Sequence, residues 1–233
     1  MNYFNHEFNA MKKKMQSIIL YAFFTECVFL FFFAVVGKFD ESDSGSLLTR
    51  FSGIVSLSGT VTMCVVSVYG AICASKLIVN NYIGFGKNET FLLPINRSSL
   101  FYTRLIALSV IITSEEFLGV LIANIVFMTS NMFLKLVVGS LLDYWIACIQ
   151  TLTIIVSMSL AIVLLSVFIG LQRSSKVATV ISSVVFVVLV SNITAILSIT
   201  TANLMIICAI SLLLITGFIG RVFGKRIEKT DAE

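Results

Sequence analysis

Two carboxylates stand side by side in the stretch Ile112-Thr113-Ser114-Glu115-Glu116-Phe117-Leu118, with no other charge near them. A third acid, Glu26, interrupts another apolar run closer to the N-terminus. Paired carboxylates are natural general acids and bases, but they need partners that orient them and hand protons on. The chain has one histidine, His6, which removes two-His metal sites and Ser-His-Asp triads by counting alone. Its five cysteines, Cys27, Cys64, Cys73, Cys148 and Cys208, lie in apolar runs without a CxxC and read as small buried hydrophobes. No catalytic residue and no metal ligand is expected, and nothing suggests a nucleic-acid partner.

A glutamate pair followed by three residues and an arginine resembles one family of intramembrane proteases. Here Val120 occupies the arginine position and His6 lies far away in sequence, so that chemistry lacks its base and its cation. Cost is the better guide. An ionised carboxylate at the centre of a membrane span costs about 2.5–3.5 kcal/mol on insertion scales, so it faces a protein interior or a wet cavity. Adjacent helical residues point about 100° apart, and Glu115 and Glu116 therefore face different neighbours. Thr113, Glu116 and Asn124 keep roughly helical spacing and outline a polar stripe. Two roles stay open for Glu26, Thr113, Glu115, Glu116 and Asn124: hydrogen bonding between helices for assembly, or lining a path for a cationic or amphipathic substrate.

The elements that carry these residues follow from composition. The 233 residues are 58% hydrophobic and only 12% charged, with a mean hydropathy of +1.03, whereas a soluble domain carries about 25% charged residues. Six nearly uncharged runs are long enough to span hydrocarbon as helix: 18–37, 51–75, 105–128, 144–170, 177–198 and 203–220. The stretch 129–143 has room for a short re-entrant piece. With both termini inside, 13 of the 16 Lys and Arg residues fall in cytoplasmic segments and 3 outside, which sets the orientation. The expected place is the cell membrane, multi-pass. Tyr144 and Trp145 suit its outer interface, and the serines of the fourth and fifth spans read as packing positions.

The first 17 residues are polar, and no convincing cleavage site follows the first span, so no cleavable signal is expected. Phe4, Phe8, Met11 and Met15 share one helical face, which predicts an amphipathic helix on the cytoplasmic interface, apolar side in lipid, lysines at anionic headgroups. Segment 76–104 is the longest non-spanning stretch. Gly84 and Gly86 interrupt a helix, Pro94 ends one, and Lys87 to Leu93 leave room for one or two helical turns. "NYIGFGKNE" is no phosphate loop, since Asn81 stands at the first glycine position and Asn88 at the Ser/Thr position.

Together these features predict an all-α fold: a polytopic membrane protein with six transmembrane helices, an N-terminal interfacial amphipathic helix and a short cytoplasmic coupling helix between spans two and three. With "ETFLLPINRSSLFYTRL", this layout resembles the membrane subunit of ABC-2 type transporters, and among them the small permeases for bacteriocin or lantibiotic immunity and peptide export. The resemblance implies a single permease domain: interfacial helix 1–17, spans one and two in 18–75, coupling loop 76–104, spans three to six in 105–220, and tail 221–233. It implies two copies of an ABC ATPase holding ATP and Mg, with no cofactor in this chain. It also implies a second permease, identical or homologous, and an amphipathic peptide substrate. Tyr82, Lys87, Glu89, Thr90 and Phe91 are then the contacts to the ATPase, while Arg97 and Arg104 anchor the loop near phosphates or acids. The rivals are an ATP-independent transporter or channel and a non-transporting assembly or sensor subunit; the first predicts internal repeats that the sequence lacks.

Overall fold

In lipid every backbone amide and carbonyl must be satisfied within the protein, so long apolar runs fold as helices. The computed structural model describes residues 3–39, 50–83, 97–137, 140–200 and 202–229, and no strand occurs among them. Among these residues seven α-helices follow in order: α1 (Tyr3–Met15), α2 (Ser17–Phe39), α3 (Phe51–Leu77), α4 (Arg97–Leu134), α5 (Leu141–Gln172), α6 (Lys176–Thr200) and α7 (Ala202–Lys229), with a 3-10 turn at Val79–Tyr82 after α3. Among the described residues four stretches are long and apolar enough to cross a membrane: Glu7–Phe39, Phe51–Tyr82, Ser99–Leu134 and Leu141–Gln172. Within α6 and α7, Lys176–Asn192 and Ala209–Val222 are apolar but shorter. The chain is a helical membrane protein.

Helix α3 is the centre of the bundle, packed against α2, α5 and α6, while α2 also lies along α4 and α7 leans on α5. The course of α1 and α2 runs parallel to α4, as three pairs show: Glu7 meets Arg104, Ala22 meets Gly119, and Phe31 meets Phe127. Buried positions recur every four residues on both partners. On α2 they are Ile18, Ala22, Glu26, Leu30 and Ala34, and on α4 Leu108, Ile112, Glu116, Val120, Asn124 and Met128. These are the i±4 rows through which helices interlock. On α2 the adjacent row, Leu20, Phe24, Val28 and Phe32, is exposed and faces hydrocarbon.

Three expectations change. The apolar face of α1 does not lie in lipid: Met11 and Met15 are buried in the protein core, with Phe8 packed against it. The reason is direction, because α1 continues alongside α4 after a single break at Gln16 and finds protein before it finds acyl chains. Lys12, Lys13 and Lys14 are exposed as expected; the Phe4 side chain lies outside the described ones. Tyr144 is not an interfacial anchor but is fully buried between Phe51 and Phe127, while its neighbour Trp145 is partly exposed. No re-entrant piece forms among the described residues of 129–143, since α4 runs to Leu134. Asn131 closes the turn there, its Oδ1 accepting from the amides of Leu136 (2.9 Å) and Val137 (3.0 Å).

The tightest approach of α2 to α4 depends on Gly119. A Cβ there would lie 2.7 Å from Ala22 Cβ and 2.8 Å from the Ile19 carbonyl oxygen, and backbone cannot step aside cheaply. Gly119→Ala is expected to cost about 1–3 kcal/mol through overpacking, lowering the unfolding midpoint of the detergent-purified protein. Gly217→Ala is its control, because nothing lies within 4 Å of a Cβ there. Equal midpoints for the two variants would contradict the close α2–α4 seam.

Candidate functional site: a buried carboxylate layer and a latched N-terminal helix

Glu26 is fully buried in the α2 stripe and turns toward α3. Ser58 Oγ donates to its Oε1 (2.9 Å) and Thr62 Oγ1 to its Oε2 (2.7 Å), so one carboxylate receives two hydroxyls spaced one turn apart on α3. The Asn124 side-chain amide of α4 is within hydrogen-bonding reach as well. Asn124 in turn accepts from the Tyr144 hydroxyl of α5 at its Oδ1 (2.8 Å) and donates to its own helix at Val120 O (2.9 Å). The chain Ser58 and Thr62 to Glu26 to Asn124 to Tyr144 therefore crosses four helices.

Glu116, also fully buried, sits two turns earlier on α4 and accepts a hydrogen bond from Ser159 Oγ of α5. Its Oε1 is buried without a hydrogen-bond partner among the described residues. The donors to both carboxyls are neutral hydroxyls and amides, and neither acid joins an ion pair among the described residues. Hydroxyl donors between helices are how a membrane bundle holds a polar group away from hydrocarbon.

Glu115 faces elsewhere, as adjacent helical positions require. It reaches the backbone amide of Ile19, in the first turn of α2, with Lys12 of α1 near it. The first amides of a helix have no partner in their own helix, and a carboxylate placed there satisfies one of them. Glu115 thus sits at the break between α1 and α2.

One turn into α1, Glu7 pairs with Arg104 of α4. Arg104 Nη2 lies 3.2 Å from Glu7 Oε1 and its Nε donates to Oε2 at 3.3 Å, a two-pronged contact that is mostly buried. Beside it the Tyr82 ring stands edge-on to Phe101, centroids 5.7 Å apart, which ties the 3-10 turn after α3 to the start of α4. The entry and exit of segment 76–104 and helix α1 thus meet at one end of the bundle. Lys87, Glu89, Thr90 and Phe91 lie outside the described residues, as does the side chain of Arg97.

The structure buries Glu26, Glu116 and Asn124 along the seam of α2 and α4, Glu116 two turns from Asn124, and gives Glu115 and Arg104 separate roles toward α1. Thr113 does not join them. Its hydroxyl donates to Ser109 O (2.9 Å) on its own helix, and the residue is only half buried. A row stepping every four residues turns by about 40° per step relative to an ideal helix, so the buried face has moved on between Thr113 and Asn124. Missing from the sequence reading are Glu7, Ser58, Thr62 and the buried role of Tyr144. Glu7 had left a signal: it is the one acid of α1, and it falls on the same face as Phe4, Phe8 and Met11.

Removing single donors tests the layer. Thr62→Val, Ser159→Ala and Tyr144→Phe are each expected to destabilise the bundle by about 0.6 kcal/mol, the average for interhelical hydrogen bonds in membranes. A double-mutant cycle between Asn124→Ala and Tyr144→Phe, read by unfolding in mixed micelles, should show positive coupling. Additive effects would mean that the two side chains do not act as a pair.

No family model and no solved structure matches the chain. The chain is similar to the uncharacterized protein YcbO of Bacillus subtilis (strain 168), 27% identical over 190 residues that cover 78% of this chain and 80% of the relative.

Proposed function

We propose that the chain is the membrane subunit of an ATP-driven transporter of the ABC-2 type, which moves an amphipathic peptide out of the membrane or the cell as export or self-immunity. The observation that carries this reading is the meeting of α1, the Val79–Tyr82 turn and the start of α4 at one end of the bundle, joined by Glu7–Arg104 and Tyr82–Phe101. A permease without nucleotide chemistry of its own needs such a place, where the motion of a partner ATPase enters several helices at once. Six spans, cytoplasmic termini, a paired permease and ATPase contacts at Lys87, Glu89, Thr90 and Phe91 belong to the same proposal.

Within that reading the carboxylate layer is first of all the joint between helices α2 to α5. Each of Glu26 and Glu116 takes hydroxyls from a facing helix, so relative sliding of these helices breaks hydrogen bonds in discrete steps. Movement that enters at α1 reaches the layer along the α2–α4 seam.

Co-purification with a co-expressed nucleotide-binding partner tests the proposal. Glu89→Ala and Phe91→Ala are expected to weaken the complex or its stimulated ATP hydrolysis. Arg104→Glu is expected to impair coupling, and the double change Glu7→Arg with Arg104→Glu to restore part of it. An ATPase that fails to co-purify, with all four variants indistinguishable from wild type, overturns the permease reading.

A further inference from the structure

Where α5 turns into α6 the bundle has a hollow of about 540 Å³, lined by Ile169, Arg173, Ser175, Ile181, Val185 and Phe186 among others. Its chemistry is divided along its length. Arg173 lines one end and is exposed, Lys176 three residues on is exposed just outside the lining, and neither makes an ion pair among the described residues. Deeper along α6 the walls are apolar, with Ile181 58% and Val185 51% exposed on the surface that faces hydrocarbon. From Ala178 to Phe186 this wall, apolar apart from Ser182, whose hydroxyl donates to Thr179 O, runs for about 12 Å of helix.

The hollow belongs to the cation-rich end of the molecule. Tyr102 at the start of α4 reaches the Arg221 carbonyl of α7 (3.5 Å), and Phe168, near the end of α5, packs against Gly220. Lys12, Lys13, Lys14, Lys76, Arg173, Lys176 and Arg221 are all exposed there. Glu7, an acid at this end, is occupied by Arg104.

An occupant has to be apolar along α6 and anionic at the level of Arg173. A cationic peptide is repelled at the mouth. A second copy docked here by twofold symmetry sets Arg173 and Lys176 against their own counterparts. We propose that this hollow binds an anionic phospholipid, its phosphate held between Arg173 and Lys176 and its acyl chain lying along Ile181, Val185 and Phe186. Arginine suits the phosphate through its forked donors, and Ser175, whose Oγ accepts from the Ala178 amide (3.4 Å), offers its proton beside it. The proposal needs only the membrane character of the chain and holds with or without an ATPase partner.

The full-length protein, purified in neutral detergent and titrated with phosphatidylglycerol or phosphatidylcholine, is read by native mass spectrometry for retained lipid. Wild type is expected to retain phosphatidylglycerol over phosphatidylcholine. Arg173→Ala should lose roughly fivefold of that preference, in line with the attraction of one basic residue to an anionic surface. Val185→Trp, which fills the hollow without touching charge, should lower phosphatidylglycerol retention similarly, while Lys135→Ala at the other end leaves it unchanged. Loss with Arg173→Ala but none with Val185→Trp makes this surface charge alone and overturns the site. Equal displacement of the lipid by inorganic phosphate does the same. A shift from dimer to monomer in Val185→Trp with lipid retention intact assigns the hollow to a second copy and overturns it as well.

Discussion

A carboxylate cannot be left facing hydrocarbon, and the placement of Glu26 within the α2 stripe decides how the inner helices stack. Its two oxygens need donors, and the facing helix supplies them one turn apart at Ser58 and Thr62. That spacing holds α2 and α3 in one register, since a shift of either helix by a residue or two leaves an acceptor without its donor in a solvent that offers none. Apolar packing alone is far less particular, because a leucine slides past another leucine and lipid is as good a neighbour as protein. Around this polar register the tight α2–α4 seam at Gly119 and the aromatic packing of Tyr144 fall into place.

Much of this layer was legible in the sequence. The depth of Glu26, Glu115 and Glu116 within apolar runs argued for burial, and the angle between adjacent positions argued that the glutamate pair serves two neighbours. Both hold. The composition of the stripe was harder to read because the buried rows step every four residues, and an ideal 3.6-residue period applied to α4 counts Thr113 in and gives no reason to leave it out. The partners on α3 were invisible, since a serine or threonine in a span is as often bonded to its own helix as to a neighbour, and only the facing acid distinguishes Ser58 and Thr62 from Thr60 or Ser157.

Helix α1 shows a different limit. Periodicity identified its apolar face, but a face of methionine and phenylalanine suits lipid and protein alike. What separates the two is an acid within that face, which protein can pair and lipid cannot. Glu7 meets that test through Arg104, itself a residue singled out as an anchor for acids. Tyr144 misled for a related reason: a tyrosine beside a tryptophan at the end of a span matches the aromatic belt, yet a buried acceptor on Asn124 offers its hydroxyl a better partner.

The Glu7–Arg104 latch also bears on how the protein is made. Its two halves are 97 residues apart in the chain. At about 5–20 residues per second, α1 leaves the ribosome roughly 5–20 s before the start of α4 exists to receive it. Through that interval its methionine face has no protein partner, and the membrane surface is where an amphipathic helix with exposed lysines rests. Docking onto α4 then buries Met11 and Met15 in the core, so closure of the latch has to wait until the start of α4 has been made.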